Sequence, residues 1–260
     1  MTPIVAFFNQ KGGTAKTTST LNVGAALVER GRRVLAIDLD PQASLTMALG
    51  IDIATLDLSV YDLLADERLP LSAVVLPTSI TGMDLIPSHP DLAAAELELL
   101  NVIERERRLD DKLRSAQPLP YDYVVIDCPP ALNILSINIL VASSALVIPI
   151  EPHPLSLMVL TRLFETVDRV RRLNPNLEVI GFLPTKVHHS SRLAADMIET
   201  LSERFPDLPL LPAIPLSVKS AESIAENSSI LQYMPRSSIS IAYREVAAFV
   251  ERRVGSVASV

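Results

Sequence analysis

Apolar residues fall along this chain in two rhythms. Short continuous runs stand at 4–8, 33–38, 83–87, 123–127, 145–150, 179–185 and 210–214. Runs of that length, rich in Val, Ile and Leu, predict buried strands. Between them apolar positions recur at helical spacing, which predicts helices over 16–30, 91–115, 131–142, 155–172, 190–205, 218–226 and 239–254. Gly31 stands as a stop after the first helix, and Pro90 precedes the second. Strand and helix alternating in this way predict a doubly wound α/β fold, a mostly parallel sheet with helices on both faces. The stretch 51–81 carries Pro70 and Pro77 and follows neither rhythm, so it reads as an excursion beside the sheet. One domain spanning 1–260 is expected, with 255–260 as a frayed tail.

Composition narrows the function classes. With 48% apolar and 20% charged residues the chain has too much surface to hide from water to be disordered. Its single cysteine, Cys128, excludes an internal disulfide. No basic neighbour in sequence lowers that thiol's pKa, so a buried small side chain is expected there. The net charge of -7 argues against coating nucleic acid by bulk charge. Residues 1–160 hold 11 Lys+Arg against 19 Asp+Glu, whereas 161–260 hold 12 against 11. An anionic partner, if there is one, is therefore expected at the C-terminal part. Residues 128–150 are uncharged and long enough to test as a membrane span, but Pro129, Pro130, Pro149, Asn133 and Asn138 divide them into a helix and a strand. Met1 to Phe8 lacks a basic leader and reads as a strand, not a signal peptide.

The candidate chemistry begins where the first strand ends. Lys11-Gly12-Gly13-Thr14-Ala15-Lys16-Thr17-Thr18 joins that strand to a helix. Small residues let backbone N–H groups wrap a triphosphate, and the helix N-terminus adds partial positive charge. Lys16 would reach the β and γ phosphates while the Thr17 hydroxyl binds Mg²⁺. Two further acidic motifs end predicted strands, Ile37-Asp38-Leu39-Asp40-Pro41-Gln42 and Val124-Val125-Ile126-Asp127-Cys128-Pro129-Pro130. Carboxylates at the C-terminal ends of parallel strands line the crevice where ligands bind.

The loop departs from the regular G-x-x-x-x-G-K-[ST] pattern, with Gln10 and Ala15 at its glycines. Its K-G-G-x-x-K-T form resembles the deviant Walker A motif of the ParA/MinD family of P-loop ATPases. The resemblance extends over nearly the whole chain. It implies ATP and Mg²⁺ as cofactors, with Lys11 crossing a homodimer interface to the partner's nucleotide. It also implies that Asp40 positions or activates the attacking water, that Asp38 lies close to the Mg²⁺ shell, and that Asp127 reaches the metal through water. An adenine pocket near Thr185, Lys186, Ile214 and Pro215 follows from the same resemblance. Ala15 opens the helix, where a right-handed backbone would suit alanine.

Asp40-Pro41-Gln42 resembles the ParA (Soj-like) branch, whose members bind double-stranded DNA nonspecifically as ATP dimers. The DNA face would then carry Arg192 and Lys219, with Arg236 a further candidate. A cargo-linked partner protein that stimulates hydrolysis, and a cytoplasmic, nucleoid-associated location, are implied in the same way. The alternative is a MinD-like membrane-surface ATPase, which needs an amphipathic C-terminal helix. Ile241, Val246, Phe249, Val250 and Val254 form one apolar stripe there, but Glu245 and Glu251 dilute its basic face, so core packing and no stable membrane association are expected. An electron-transfer ATPase of the nitrogenase iron protein type needs two cysteines per subunit, which this chain lacks. A P-loop kinase or ligase would need an acceptor pocket that no motif names. His188-His189 reads as loop.

Overall fold

The computed structural model describes residues 1–257 except 100–101 and 189–190. Seven strands run in chain order: β1 Ile4–Phe7, β2 Val34–Asp38, β3 Leu76–Pro77, β4 Met83–Ile86, β5 Tyr123–Asp127, β6 Ala145–Ile150 and β7 Glu178–Pro184. The helices are α1 Lys16–Glu29, α2 Ser44–Ala48, α3 Val60–Ala65, α4 Leu92–Glu98, α5 Arg108–Ser115, α6 Ile134–Ala142, α7 Pro154–Val170, α8 Arg192–Arg204, α9 Lys219–Ala225, α10 Ile230–Tyr233 and α11 Ser238–Val257. All strands form one sheet in the order β3-β4-β2-β5-β1-β6-β7, parallel except for β3.

The sheet is apolar on both faces because both are covered. Along β1, Ile4 and Ala6 enter one core and Val5 and Phe7 the other. The first core includes residues of α3 to α7, and the second residues of α1, α2, α10 and α11. In α11, Tyr243, Val246, Val250 and Val254 are buried, and its exposed side is tied to α1 by ion pairs. Glu251 accepts from Arg30 at 2.8 Å and Arg32 at 2.6 Å, and Glu29 accepts from Arg244 at 2.6 Å. Of the predicted apolar stripe only Ile241 is strongly exposed, at 49%. The uncharged stretch 128–150 divides, as expected, into α6 and β6. No described helix is long and apolar enough to cross a membrane.

Several elements differ from expectation. The helix predicted over 91–115 is broken: α4 stops at Glu98, residues 100–101 lie outside the described part, and α5 starts at Arg108. Glu104 takes φ +56° in between, and Ile103 is 90% exposed. A buried asparagine stabilises the break, since Asn138 Nδ2 donates to the Arg105 carbonyl at 2.7 Å and its Oδ1 accepts from the Leu109 N–H at 3.1 Å. The strand predicted over 210–214 is reduced to isolated bridges, Phe182 with Leu210 and Val187 with Pro215. Pro209, Pro212 and Pro215 remove the donors that a ladder needs, leaving Leu211 and Ile214 to donate to Phe182 and Pro184 at 2.8 Å each. The excursion at 51–81 supplies α3 and the two-residue antiparallel edge β3. The helix predicted from 190 begins, in its described part, at Arg192 under a Ser191 cap. The tail expected from 255 continues as helix to Val257, and 258–260 lie outside the described residues.

Segment 206–212 lies directly on the backbone of β7, and Gly181 makes room for it. Gly181 has φ +146°, and a Cβ there would stand 2.4 Å from the Pro209 carbonyl oxygen. Gly181→Ala is therefore expected to cost about 3 kcal/mol of stability. Equilibrium urea unfolding measures this, and a loss below about 1 kcal/mol would show that the segment can shift aside.

Candidate active site at the C-terminal ends of the central strands

The loop after β1 is braced from three directions. Asn9 Nδ2 donates to the Pro149 carbonyl at 2.8 Å, while Asn9 Oδ1 accepts from the Lys11 N–H at 3.0 Å. Thr14 Oγ1 donates to the Lys11 carbonyl at 3.3 Å. Thr185 Oγ1 donates to the Thr14 carbonyl at 3.1 Å. No side chain caps α1, so the N–H groups of its first turn remain available as donors. They open on a cleft of about 440 Å³ lined by Gly12 to Thr18, Asp40, Ser44, Pro130, Lys186 and Ile224.

Ala15 is not in the right-handed conformation expected of it. It sits at φ +60°, ψ +34°, the left-handed region, as the residue that turns the loop into α1. A β-carbon there costs about 1–2 kcal/mol that glycine avoids. Gly13, at φ +76°, meets the same demand with no such cost.

Asp127 and Asp40 act on Lys16, and Asp38 stands beside Asp127. Asp38 and Asp127 are register partners at the ends of β2 and β5, and both are fully buried. Thr17 Oγ1 donates to Asp127 Oδ2 at 2.6 Å. Burial, and then the charge of Asp38, hold the Asp127 carboxyl well above the usual range. Burial raises Asp38 to about 6 against the hydrogen bonds it accepts. Burial also lowers the Lys16 ammonium, against the opposing pull of Asp127, Cys128 and Asp40. Lys16 is 7% exposed, and its Nζ donates to the Lys11 carbonyl at 3.5 Å.

The oxygen-only donors Thr17 and Asp127 suit Mg²⁺, a hard cation that keeps waters and takes phosphate oxygens as ligands. Among the described residues no group of three or more His, Cys, Asp or Glu could hold a metal. Asp38 is differently placed, because both of its oxygens already accept protein donors. Oδ1 takes the Asp40 N–H at 3.1 Å, and Oδ2 takes the Thr46 N–H at 2.9 Å and hydroxyl at 2.8 Å.

Of the residues expected beside the base, Lys186 lines the cleft, with its Nζ 4.0 Å from the point where a Gly13 Cβ would stand. Thr185 is buried beneath the loop, Ile214 is in the second core, and Pro215 bridges Val187. Cys128 is 1% exposed, as expected, and burial pushes its thiol well up. His188 lies in a loop, and His189 is outside the described residues. Arg192, Lys219 and Arg236 are all exposed. Lys219 pairs with Glu222 at 2.7 Å, whereas Arg192 and Arg236 form no ion pair among the described residues.

This geometry has relatives. A family model described as an AAA domain matches residues 2–179. The chain is 38% identical over 248 residues to the sporulation initiation inhibitor protein Soj of Bacillus subtilis, covering 95% of this chain and 97% of Soj. It is 36% identical over 246 residues to the chromosome partitioning protein ParA of Caulobacter vibrioides, covering 94% and 92%. The chain belongs to the ParA/MinD family of P-loop ATPases. The ATPase also resembles the crystal structure of cobyrinic acid a,c-diamide synthase from Mycobacterium smegmatis with bound ATP analog and magnesium, at TM-score 0.85 and 36% identity over 98% of this chain and 97% of that one.

The motifs of this ATPase did not reveal Asn9, Thr46 or Ser88, all buried and all hydrogen-bonded to the loops of the site. A signal was present for Ser88, which follows the end of β4 as Asp40 follows that of β2. Replacing Ala15 by glycine removes the left-handed strain but adds freedom to the unfolded chain. Ala15→Gly is expected to stabilise the nucleotide-free protein by about 0.5–1 kcal/mol in urea unfolding. Destabilisation would show that the turn is built for alanine.

Proposed function

We propose that this ATPase is a ParA-type switch in which residues 1–260 act as one domain. It binds ATP and Mg²⁺ at the phosphate loop, pairs with a second copy across the nucleotide, binds double-stranded DNA without reading its sequence, and leaves after hydrolysis. The observation that carries this reading is the contrast between its two loop lysines. Lys16 is buried and lines the cleft, whereas Lys11 lies outside the lining, with its ammonium unpaired among the described residues. Lys16 is placed to serve its own nucleotide, and Lys11 is free to serve another.

Thr17 and Asp127 would hold Mg²⁺, which when bound neutralises charge on the phosphates. The N–H groups of Gly12 to Thr18 hold the phosphate chain, and Lys16 adds a buried cation. Lys186 adds a second cation at the same cleft. Asp40 lines the cleft and positions or activates the attacking water. Asp38 fixes the loop that carries Asp40 and would lie close to the Mg²⁺ shell. The base lies toward Thr185, Ile214 and Pro215, met mostly by backbone.

Arg192 and Arg236 are the stronger candidates for DNA phosphates, because Glu222 draws on Lys219 and repels an anion beside it. The burial of the α11 stripe removes the surface that a membrane anchor would present, which favours DNA over the MinD-like alternative. The diamide synthase resemblance raises an amide-forming ligase as a further reading. DNA partition or cargo positioning on the nucleoid, with a cargo-linked partner that stimulates hydrolysis, is the role we assign.

The deciding experiment measures binding to a random-sequence duplex without nucleotide, with ADP and with ATP across a salt series. Binding only with ATP is expected, weakening about 100-fold between about 50 and 200 mM salt if a dimer uses four phosphate contacts. Absence of binding in every state, together with ATP-dependent binding to anionic vesicles, would replace this reading by the membrane one. Lys16→Ala is expected to lose ATP binding. Lys11→Ala is expected to bind ATP yet stay monomeric in sedimentation, and an ATP-dependent dimer of that variant would remove the crossing role.

A further inference from the structure

Two buried hydroxyls tie the Asp40 loop to the neighbouring strand. Ser88 lies just beyond β4, Thr46 lies in α2, and neither has any exposed surface. The Ser88 N–H donates to Thr46 Oγ1 at 2.9 Å. Thr46 Oγ1 donates to Asp38 Oδ2 at 2.8 Å. The Asp40 N–H donates to Asp38 Oδ1 at 3.1 Å, and Ser88 Oγ donates to the Asp40 carbonyl at 2.7 Å. The four residues close a ring. Each hydroxyl has one proton, so each donates in one direction only. The Asp40 carbonyl also accepts the Ala43 N–H at 2.8 Å, so loss of the Ser88 hydroxyl removes the tie to β4 and leaves the turn's own bond.

The ring holds Asp40 by both its peptide N–H and its carbonyl. Asp40 Oδ1 accepts from the Gln42 N–H at 3.0 Å, which leaves Oδ2 without a protein partner among the described residues. Asp40 lines the cleft, while Ser88 and Thr46 do not. We propose that Ser88, oriented by Thr46, is a positioning residue that fixes the Asp40 peptide so that its carboxylate stands ready for the attacking water. This rests on the reading of Asp40 given above. Because Ser88 does not line the cleft, its loss acts on the rate of hydrolysis and leaves nucleotide affinity nearly unchanged.

The test compares Ser88→Ala, Ser88→Thr, Asp40→Ala and the double variant Ser88→Ala/Asp40→Ala in the full chain with ATP and Mg²⁺. Single-turnover hydrolysis, KM and thermal midpoint are measured for each. Ser88→Ala is expected to lower kcat about ten-fold with KM within about two-fold. Ser88→Thr, which keeps the hydroxyl, should recover most of the rate. The double variant should be no slower than Asp40→Ala alone, because Ser88 acts only through Asp40. A general structural weakening would instead slow hydrolysis in the Asp40→Ala background too. Losses that multiply, or an unchanged rate in Ser88→Ala beside a slow Asp40→Ala, overturn the positioning role and leave the assignment of Asp40 standing. A wild-type rate in Asp40→Ala overturns the assignment of Asp40 and the positioning role with it. If Ser88→Ala does not fold, Ser88→Cys, which keeps only a weak donor, is read by the same criteria.

Discussion

The constraint on which this structure turns is two aspartates placed side by side in a dry sheet. Asp38 and Asp127 end adjacent parallel strands with no solvent around them. Such carboxylates are tolerated only where donors or cations answer them. Thr46 and the Asp40 peptide answer Asp38, and Thr17 and the charge of Lys16 answer Asp127. Each answering group also lies in a loop beside the cleft or in the first turns of the helix that follows it. The need to neutralise the aspartates thus shapes the site before any nucleotide arrives.

The same economy governs the phosphate loop, which makes no side-chain cap for α1 and leaves its N–H groups open. It is tied to its neighbours through the bond of Asn9 to Pro149 of β6 and through Thr185 beyond β7. A loop held by its neighbours keeps its donors free for an anion and needs little reorganisation to accept one.

Much of this was legible in the sequence because it is local. A buried strand running into an aspartate, or into a glycine-bearing turn with Lys-Thr, places its chemistry within a few residues of a strand end. What was not legible depends on residues distant in sequence. Ala15 looks like an ordinary helix-opening residue until the turn of the loop sets its φ. Ser88 is one serine among many until β4 is seen beside β2. The break between α4 and α5 is stabilised by Asn138, thirty residues on, so a local count of helical spacing cannot find it. The prolines at 209, 212 and 215 were visible, but the apolar run around them outweighed the donors they remove.

Both margins of the sheet are closed to further strands. On one side β3 is two residues long and ends in Pro77, which has no N–H to offer. On the other, segment 206–215 lies against β7 with prolines at 209, 212 and 215, so it covers that strand without offering a regular edge itself. Copies of this chain are therefore offered no regular strand edge on which to stack into fibres. The pairing of copies proposed above would then fall to loops and helix ends.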